Sequence, residues 1–349
     1  MAIKIRPLDP ASAPAWDRFV SATPAGTFFH RAAWAGVLET AFGHTAHYAM
    51  AEQDGAVTGV LPLAHVKTRL FGNNLMSTPF CVYGGPLAAD RDSALALEVH
   101  AAAVMAHTGA ASTEFRFLHP LPEGWLPDED WQTREGLYVT FRRAITGDDD
   151  ANLKAIPRKQ RAVVRKGIEQ GLTSTVSQDV DGLHAVYAES VRNLGTPVFS
   201  RRYFRVLAET FRGSVDVLTV RNGGTPVSAV MNFYDRDEVL PYYGGGTAAA
   251  RTCHANDFMY WEVMRHAAAR GCRLFDFGRS KAGTGAFSFK KNWGFTPTPL
   301  AYRYRVAPGA SIPDHNPLNP KYRLFIAAWK RLPLPVANLI GPHIVRGVG

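Results

Sequence analysis

The chain has 349 residues, of which 46% are apolar and 20% are charged. This length predicts two domains rather than one, and the apolar content is sufficient to bury a core in each. The charged fraction is too low for a disordered chain. The formal net charge is +9, and such an excess of cations indicates an anionic partner, such as a nucleotide sugar, tRNA, a phospholipid surface or an acidic glycan.

The cysteines Cys81, Cys253 and Cys272 occur without a CxxC pair or a His/Cys spacing of the zinc type. We expect them to be reduced and buried, and we predict no metal site. The N-terminal sequence MAIKIRPLDP lacks the apolar segment of a signal peptide, and no run of ~18 apolar residues is present to span a membrane. These features predict a cytoplasmic protein.

The first half of the chain alternates predicted strands and helices. Trp34, Val37 and Leu38 lie at helical spacing, and the Asp54-Gly55 turn predicts a hairpin. In chain order we expect a strand at 3–6, helices at 13–21 and 32–41, hairpin strands at 48–52 and 57–66, a strand that ends at Gly84-Gly85, a helix around 95–104 and a strand at 113–118.

The second half repeats this order of elements. Tyr83 lies 34 residues before Phe117, and Tyr243 lies 34 residues before Phe277. Coincidence between two ordinary β–loop–α–β units is possible, but the shared order and spacing favour an internal duplication. The expected elements are hairpin strands at 215–221 and 226–234, a strand at 239–243 that runs into Gly244–Gly246, a helix at 256–270 and a strand at 273–277.

A charged linker at 147–150 precedes a strongly basic stretch. Pro157 suits the first turn of a helix and Gly171 suits its C-terminal end, so one helix is predicted within 154–172. The stretch has six basic residues against one acid, and this shortage of local acidic partners favours anion binding over a merely solvated face. The cations that share one helical face are Lys154, Arg158, Arg161 and Arg165.

The stretch 274–295 contains the most distinctive chemistry. A short apolar strand at 274–277 carries the polar residue Asp276, and a glycine-rich turn with Arg279 follows it. Lys290 and Lys291 then lie between aromatic residues. Such a loop is suited to hold an anion or to stabilise negative charge on an acyl oxygen. The alternative is a surface turn with two solvated lysines.

The C-terminal segment 309–349 is predicted to be an amphipathic tail. Pro320 marks a helix start, and apolar residues between 324 and 332 share one side, beside several cations. A basic amphipathic segment of this kind can lie on an anionic membrane, which predicts peripheral membrane contact through 319–349. The competing interpretation, a terminal helix docked on its own domain, is slightly favoured.

Three segments together resemble the FemABX family: RKQRAVVRKGIEQGL, YYGGGT and FDFGRSKAGTGAFSFKKNWGF. The chain is most similar to the FemAB-related proteins that accompany exosortase and exopolysaccharide loci. The resemblance covers about residues 20–306 and implies an α/β fold of two tandem GNAT-like domains. We therefore expect a first domain at 1–147, a basic inter-domain helix at 148–172, a second domain at 173–308 and the tail at 309–349.

The resemblance also implies acyl transfer to an amine on an anionic nucleotide-, lipid- or glycan-linked acceptor. The co-substrate would be an aminoacyl-tRNA or an acyl-CoA, with no bound cofactor. By resemblance, Lys290 lies near the transferring carbonyl, with Lys291 as the neighbouring alternative. The residues that would bind substrate are Arg161 and Arg165 at the diphosphate, with Arg158 and Arg279 as further cations, and Tyr242 and Tyr243 in the acceptor site.

Other residues are candidates on chemical grounds. Asp276 and Asp257 are the carboxylates that could take the proton of the amine, although Asp257 could simply cap its helix. The acyl-CoA loop motif [QR]-x-x-G-x-[GA] is absent from the sequence, but Gly244, Gly245 and Gly246 could cradle an anion before the next helix. The rival hypotheses are a non-catalytic, membrane-associated accessory protein and, with less support, an RNA-binding module.

Overall fold

A computed structural model describes residues 2–127, 129–312 and 323–349. The elements up to residue 137 are β1 (Lys4–Pro7), α1 (Ala13–Ala22), a 3-10 turn (Phe28–His30), α2 (Trp34–Phe42), β2 (Thr45–Gln53), β3 (Ala56–Thr68), β4 (Gly72–Ser77), β5 (Leu87–Ala88), α3 (Arg91–Thr108), β6 (Ser112–Arg116) and β7 (Gln132–Arg134).

The chain continues with β8 (Tyr138–Ala144), α4 (Asp149–Ala155), α5 (Arg158–Glu169), β9 (Thr173–Ser177), α6 (Val180–Leu194), α7 (Arg201–Thr210), β10 (Val215–Asn222), β11 (Thr225–Asp235), β12 (Glu238–Gly246), α8 (Ala248–Thr252), α9 (Ala255–Ala269) and β13 (Leu274–Asp276). The last elements are β14 (Ser280–Lys281), α10 (Gly285–Asn292), β15 (Pro297–Pro299), β16 (Tyr302–Val306), α11 (Arg323–Trp329) and α12 (Leu334–Val345).

The elements form two compact units, each with a mixed sheet. The first sheet has the order β1-β2-β3-β4-β6-β16-β7, with β5 paired to β3. The second has the order β14-β8-β13-β12-β11-β10-β9, with β15 paired to β8. Each sheet contains an antiparallel hairpin and one parallel pair, β4 with β6 and β12 with β13. The mixed α/β fold and the repeated element order are therefore as predicted.

The limits of the units differ from the predicted domain limits because two strands pair far along the chain. The first unit comprises the described residues up to 137 together with 299–312 and 346–349, and the second comprises 138–298 and 323–345. Strand β8 pairs with β13, so residues 138–147 leave the predicted first domain. Strand β16 pairs with β6, so residues 299–308 leave the predicted second domain.

Two predicted helices have different limits. The helix expected within 154–172 begins at Arg158, directly after Pro157, as that proline predicted, but the residues before it belong to α4, which ends at Ala155 because a residue before proline avoids the helical conformation. Lys154 thus lies on α4, apart from the arginines of α5. The predicted tail helix consists of α11 and α12, and its expected start at 319–322 lies outside the described residues.

The second unit is built around α9, which is buried between its sheet and α5. Val164 of α5 and Met259 and Met264 of α9 are fully buried in one apolar cluster with strand residues such as Val230 and Phe275. Helix α5 reaches α9 closely at Gly167, where a Cβ would lie 3.0 Å from the Cβ of Phe258. The basic helix is therefore fixed to the core through its apolar side.

The glycines at 244–246 belong to β12 rather than to a loop, contrary to the prediction. A Cβ on Gly245 would lie 2.5 Å from the Cβ of Ser190 on α6, and one on Gly246 would lie 2.5 Å from the Cβ of Ala250. The glycines are therefore required where the strand approaches neighbouring helices. The sequence signal was correct about a close backbone approach, but the approaching group is the protein itself.

We expect Gly245→Ala to lower the free energy of unfolding by about 1–3 kcal/mol, because the added methyl group overlaps Ser190. The matched control is Gly36→Ala on α2, where a Cβ would meet nothing within 4 Å. Alanine in that exposed helix should raise the free energy of unfolding by about 0.5–1 kcal/mol. Urea denaturation of both variants measures the difference. Equal effects of the two substitutions would contradict the packing described for β12.

Candidate functional site

The pairing of β12 with β13 stops after two residue pairs, and we call the place beyond this point the opening between the two strands. These parallel strands pair at Glu238–Leu274 and Val239–Phe275, after which β13 ends at Asp276 while β12 continues to Gly246. The register of β11 against β12 shifts between Met231 and Asn232. Tyr242 is consequently the extra residue of a bulge, and such irregularities bend a strand and redirect its side chains.

The two tyrosines at the bulge have different surroundings. Tyr243 is buried, and its hydroxyl lies 2.8 Å from the hydroxyl of Tyr203 on α7. Its ring also packs on Tyr187 and Phe204. Tyr242 is only partly buried, with its ring 4.8 Å from that of Tyr243. Tyr243 therefore supports the wall of the opening, and Tyr242 is the member of the pair better placed to touch a ligand.

Helix α9 begins beside the glycine end of β12 and carries Asp257 in its first turn. The Oδ1 atom of Asp257 accepts hydrogen bonds from Nε1 of Trp293, at 2.9 Å, and from the side chain of Gln160 on α5. Within the described residues, no hydrogen bond is recorded for Oδ2. Burial raises the pKa of Asp257, while the bonds from Trp293 and Gln160 act in the opposite direction. The carboxylate therefore connects α9 with α5 and the end of α10, and its Oδ2 atom is available to accept a proton.

Asp276, the other predicted carboxylate, is fully committed to the end of β13. Its Oδ1 accepts the backbone N–H of Gly278 at 2.6 Å, and its Oδ2 lies 3.2 Å from Nε of Arg142 on β8. Arg142 also pairs with Glu238 at the start of β12. Burial raises the pKa of Glu238, and nearby Asp276 raises it further, whereas Arg142 lowers it. These contacts give Asp276 a structural role and leave Asp257 as the better candidate base.

Lys290 holds the turn that follows β13. Helix α10 begins after Thr284, whose hydroxyl accepts the N–H of Phe287, and it brings Lys290 back over the strand end. The ammonium donates to the carbonyls of Phe277, Gly278 and Arg279 at 2.6, 3.1 and 3.1 Å. Both lysines therefore lie on a helix, α10, rather than in the glycine-rich loop that the sequence predicted.

The surroundings of Lys290 perturb its titration. Burial lowers the pKa of Lys290 from its ordinary value of 10.5 to about 7, Asp276 opposes this shift and Arg279 adds to it. Its Nζ lies 5.7 Å from the ring centre of Phe141 and 6.0 Å from that of Phe277. Lys291, by contrast, is exposed. Of the two predicted lysines, only Lys290 is placed beside the strand end, where it can exchange a proton near neutral pH.

The predicted anion-binding cations are distributed over two elements. Arg158 and Arg165 are exposed on α5, and no salt bridge is recorded for either within the described residues. Arg161 is half-buried and donates from Nη1 to the carbonyl of Lys154 at 3.1 Å. Arg279 lies after β13 and places its guanidinium 4.4 Å from the ring centre of Tyr138. The exposed pair on α5 is therefore the part of the predicted set most accessible to an anion.

Sequence reasoning missed several polar and aromatic residues near Asp257 and the glycine end of β12. Tyr260, one turn after Asp257, packs on Phe277 at 4.9 Å and on Phe289 at 5.5 Å. Burial raises the pKa of Tyr260 to about 12 and also raises that of Tyr187 on α6, so both phenols remain protonated donors at neutral pH. The i, i+3 relation of Tyr260 to Asp257 was the available signal.

Two further polar groups lie at the glycine end of β12. Ser190 Oγ accepts the N–H of Gly246 at 3.3 Å. The Oδ1 atom of Asn256, in the first turn of α9, is buried without a hydrogen-bond partner within the part of the chain that the structure describes. A buried hydrogen-bond acceptor without a partner is energetically unfavourable.

The residues described contain no group of three or more His, Cys, Asp or Glu side chains that could hold a metal ion. None of the helices within those residues combines the length and apolarity needed to cross a bilayer.

Comparison with protein families identifies a domain around this opening. Residues 153–291 match the family model described as an acetyltransferase (GNAT) domain. The matched segment begins near the end of α4 and finishes within α10, so it includes α5, β12, α9 and β13. No curated protein sequence matches the chain. The second unit therefore carries a GNAT acetyltransferase domain, which supports an acyltransferase.

Several solved structures share the fold at low sequence identity. The structure of FemX has 16% identity and a TM-score of 0.68, with 93% of this chain and 100% of FemX covered. A tandem GNAT protein from the clavulanic acid biosynthesis pathway has 13% identity and a TM-score of 0.56, with coverages of 89% and 100%. The C-terminal domain of a protein described as a lysylphosphatidylglycerol synthetase, from Agrobacterium fabrum, has 13% identity and a TM-score of 0.56, with coverages of 85% and 92%. The predicted tandem GNAT-like fold is thereby confirmed.

The contacts of Lys290 generate a stability prediction with a neighbouring control. Lys290→Met should lower the free energy of unfolding by about 2 kcal/mol, because the backbone carbonyls of residues 277–279 lose their hydrogen-bond donor. Lys291→Met removes an exposed lysine and should change it by less than about 0.5 kcal/mol. Urea denaturation distinguishes the two. A Lys290 variant as stable as the Lys291 variant would show that the turn does not depend on this side chain.

The pKa of Lys290 predicts how its contribution varies with pH. Between about 7 and 10.5 the unfolded chain binds a proton that the folded chain has released, so stability rises with pH across this window. The stability difference between the native protein and Lys290→Met should therefore be larger at about pH 9.5 than at about pH 7. A difference that shrinks as pH rises would mean that the folded state retains the proton.

Proposed function

We propose that the second unit catalyses transfer of an acyl group to a primary amine. The observation that carries this proposal is the opening between β12 and β13, which lies beside the start of α9 and within the segment that matches the GNAT acetyltransferase domain. In the reaction, the amine nitrogen attacks the acyl carbonyl carbon, a C–N bond forms, and the bond to the donor oxygen or sulfur breaks. The amine loses a proton and the leaving group gains one.

The residues around the opening can be given roles in this reaction. Asp257 is suited to receive the amine proton, because burial raises its pKa and because no hydrogen bond from the residues that the structure describes reaches Oδ2. The Tyr260 phenol is suited to donate a hydrogen bond to the carbonyl oxygen as negative charge develops. Lys290 donates to the carbonyls of the 277–279 turn, and we propose that it stabilises the oxyanion indirectly, by supporting this turn and by its charge.

The acceptor is proposed to be anionic and to be held by the cations of α5 and the 277–279 turn. Arg158 and Arg165 are exposed, and they form two points of positive charge about two helical turns apart. Arg161 and Arg279 would add further positive charge to this binding site. This arrangement suits a phosphate or diphosphate, so the acceptor class is a nucleotide-, lipid- or glycan-linked amine of the cell envelope or of an exopolysaccharide. Association with exosortase loci is part of the same proposal and rests on sequence resemblance.

Two donors fit the chemistry, aminoacyl-tRNA and acyl-CoA. The GNAT domain match favours acyl-CoA, whereas the sequence lacks the usual CoA loop motif. One structural neighbour is named for a product in which a lysyl group is attached to an anionic lipid, which favours an aminoacyl donor. We propose an aminoacyl donor first and acyl-CoA second, with the reaction in the cytoplasm or at the inner face of the membrane.

A non-catalytic accessory protein is the second candidate. The observation that favours it is that Lys290 donates to three backbone carbonyls and that Asp276 is held by Arg142 and Gly278. Both side chains therefore have structural roles that a protein of this fold would retain even without catalytic activity.

The direct test is an incubation of the purified protein with nucleotide sugars, lipid-linked saccharides and amine-bearing lipids, together with acyl-CoAs or charged tRNA. Intact-mass spectrometry of the acceptors then reports any added acyl group. A mass shift that requires charged tRNA supports aminoacyl transfer, and one that requires acyl-CoA supports the other donor. No shift with any combination, from protein of native stability, would favour the accessory candidate.

The exposed arginines provide a prediction for any acceptor that is found. Arg158→Gln and Arg165→Gln should each raise the acceptor KM about fivefold at low salt with little change in kcat, because they bind charge away from the reacting atoms. The control is Arg212→Gln, another exposed arginine of the same unit. The measurement is initial rate against acceptor concentration at two salt concentrations. Equal KM values for all three variants would contradict a phosphate site on α5.

A further inference from the structure

Exposed apolar side chains are concentrated at one place on the second unit. Among the described residues, six of the ten large exposed apolar side chains lie at the end of α6 or on α11 and α12. Leu324, Leu339 and Leu194 are 85%, 71% and 60% exposed. The full set, which we call the apolar face, is Leu194, Leu324, Phe325, Val336, Leu339 and Ile340.

The apolar face belongs to folded elements that are attached to the unit. A Cβ on Gly195, just after α6, would lie 2.5 Å from Cγ2 of Ile326 on α11. Nη1 of Arg192 donates to the carbonyl of Lys330 at 3.2 Å, which also ties α6 to the end of α11. These contacts keep the end of α6 and α11 together.

Helix α12 has apolar residues on both of its sides. Its buried residues Ala337 and Gly341 are small, and a Cβ on Gly341 would lie 2.9 Å from the backbone nitrogen of Val198. The helix therefore packs closely through one side. On its opposite side Leu339 is 71% exposed, with the exposed His343 one turn later, and Ile340 is exposed between the two sides. The outer side of α12 therefore leaves apolar area that a bound partner would cover.

The charges around the apolar face have one sign. Residues 323–345 include Arg323, Lys330 and Arg331 but no aspartate or glutamate. All three cations are exposed. Cations that border an apolar surface without any acid complement a sheet of phosphate groups that overlies hydrocarbon, which is the chemistry of an anionic bilayer surface. A second copy of the same face would instead bring like charges together.

An open cavity of about 530 Å³ adjoins this face between α6, α7 and α12, and Leu339 forms part of its rim. Inside it, Arg201 donates from Nε to Nδ1 of His184 at 3.4 Å, and Nε2 of His184 donates to the carbonyl of Phe199 at 3.1 Å. Burial lowers the pKa of His184 and keeps this acceptor neutral. Arg201 is thus oriented through Nε, which leaves its terminal nitrogens for a phosphate.

We propose that the apolar face docks the protein on an anionic phospholipid bilayer, with Leu324 and Leu339 inserted among the lipids and with Lys330, Arg331 and Arg201 at the phosphates. The inference is independent of the proposed transfer reaction, because it uses none of the residues around the β12–β13 opening. It also refines the expectation of membrane contact through 319–349, since it assigns that contact to α11, α12 and the end of α6.

The test is flotation of the full-length protein with vesicles of phosphatidylcholine alone or with phosphatidylglycerol added. We expect binding to the anionic vesicles that weakens as salt is raised. Leu339→Glu and Leu324→Glu should each weaken that binding about tenfold, because each replaces an inserted side chain by an anion. The matched control is Leu70→Glu on the first unit, where the leucine has the same 71% exposure as Leu339. Thermal melting of each variant confirms that it is folded.

Equal binding to neutral and anionic vesicles would overturn the proposal, and so would equal loss of binding in the Leu70 control. Absence of vesicle binding together with a concentration-dependent dimer that Leu339→Glu disrupts would overturn it in favour of self-association. Arg201→Gln should reduce binding to anionic vesicles about threefold without affecting the melting temperature, since the cavity supplies one charged contact among several. Retention of full binding by this variant would remove the cavity from the site.

Discussion

The opening between β12 and β13 depends on buried charge at the end of β13. Asp276 would be costly to bury alone, and Arg142 and the N–H of Gly278 compensate for that cost. Their geometry ends the strand and turns the chain away from β12. Lys290 then fixes the turn by donating to three consecutive carbonyls. The ion pair and hydrogen bonds at the end of β13, rather than apolar packing, therefore stabilise the opening between β12 and β13, where the chemistry is proposed.

Because the opening depends on buried charged residues, the same residues have features of both structural and catalytic groups. A lysine that supports a turn next to a cleft must be partly buried, and burial lowers its pKa towards neutrality. The same reasoning applies to Asp257. Its contacts with Trp293 and Gln160 hold α9 to α5 and α10, and burial raises its pKa. Perturbed titration in this unit is therefore a consequence of positioning, and it becomes useful chemistry where a ligand can reach the group.

Local patterns in the sequence predicted most of the elements and little of their long-range pairing. Helical spacing and turn residues located α2, α9 and both hairpins within a few residues, because these signals are local. The pairing of β8 with β13 and of β16 with β6 has no local signal, so the unit limits shifted. Pro157 was correctly interpreted as a helix start, because α5 begins at Arg158, but Lys154 was assigned to the same helix although it lies on α4, which ends before that proline.

The candidate site was predictable to a similar degree. Lys290 and Asp257 were proposed from the sequence, and the structure places Lys290 on the turn after β13 and Asp257 in the first turn of α9; their catalytic roles stay predictions. Tyr260 and Asn256 were missed, because aromatic and amide side chains on an amphipathic helix usually serve packing or solvation. The Gly244–Gly246 run shows a further limit. Three glycines predict close approach of some group, but the sequence does not say whether a ligand or a neighbouring helix approaches.

The position of β16 in the first sheet has a consequence for synthesis of the chain. Strand β16 lies between β6 and β7, so it fills an interior position with a segment made long after its neighbours. Until residues 302–306 have emerged from the ribosome, β6 presents an open edge and β7 lacks the neighbour with which it pairs. The first unit therefore cannot complete its fold before the second unit has been synthesised. The first sheet is completed only by a strand that is encoded about 170 codons after β7. Until that strand is made, the edge of the sheet is exposed to chaperones and to other chains.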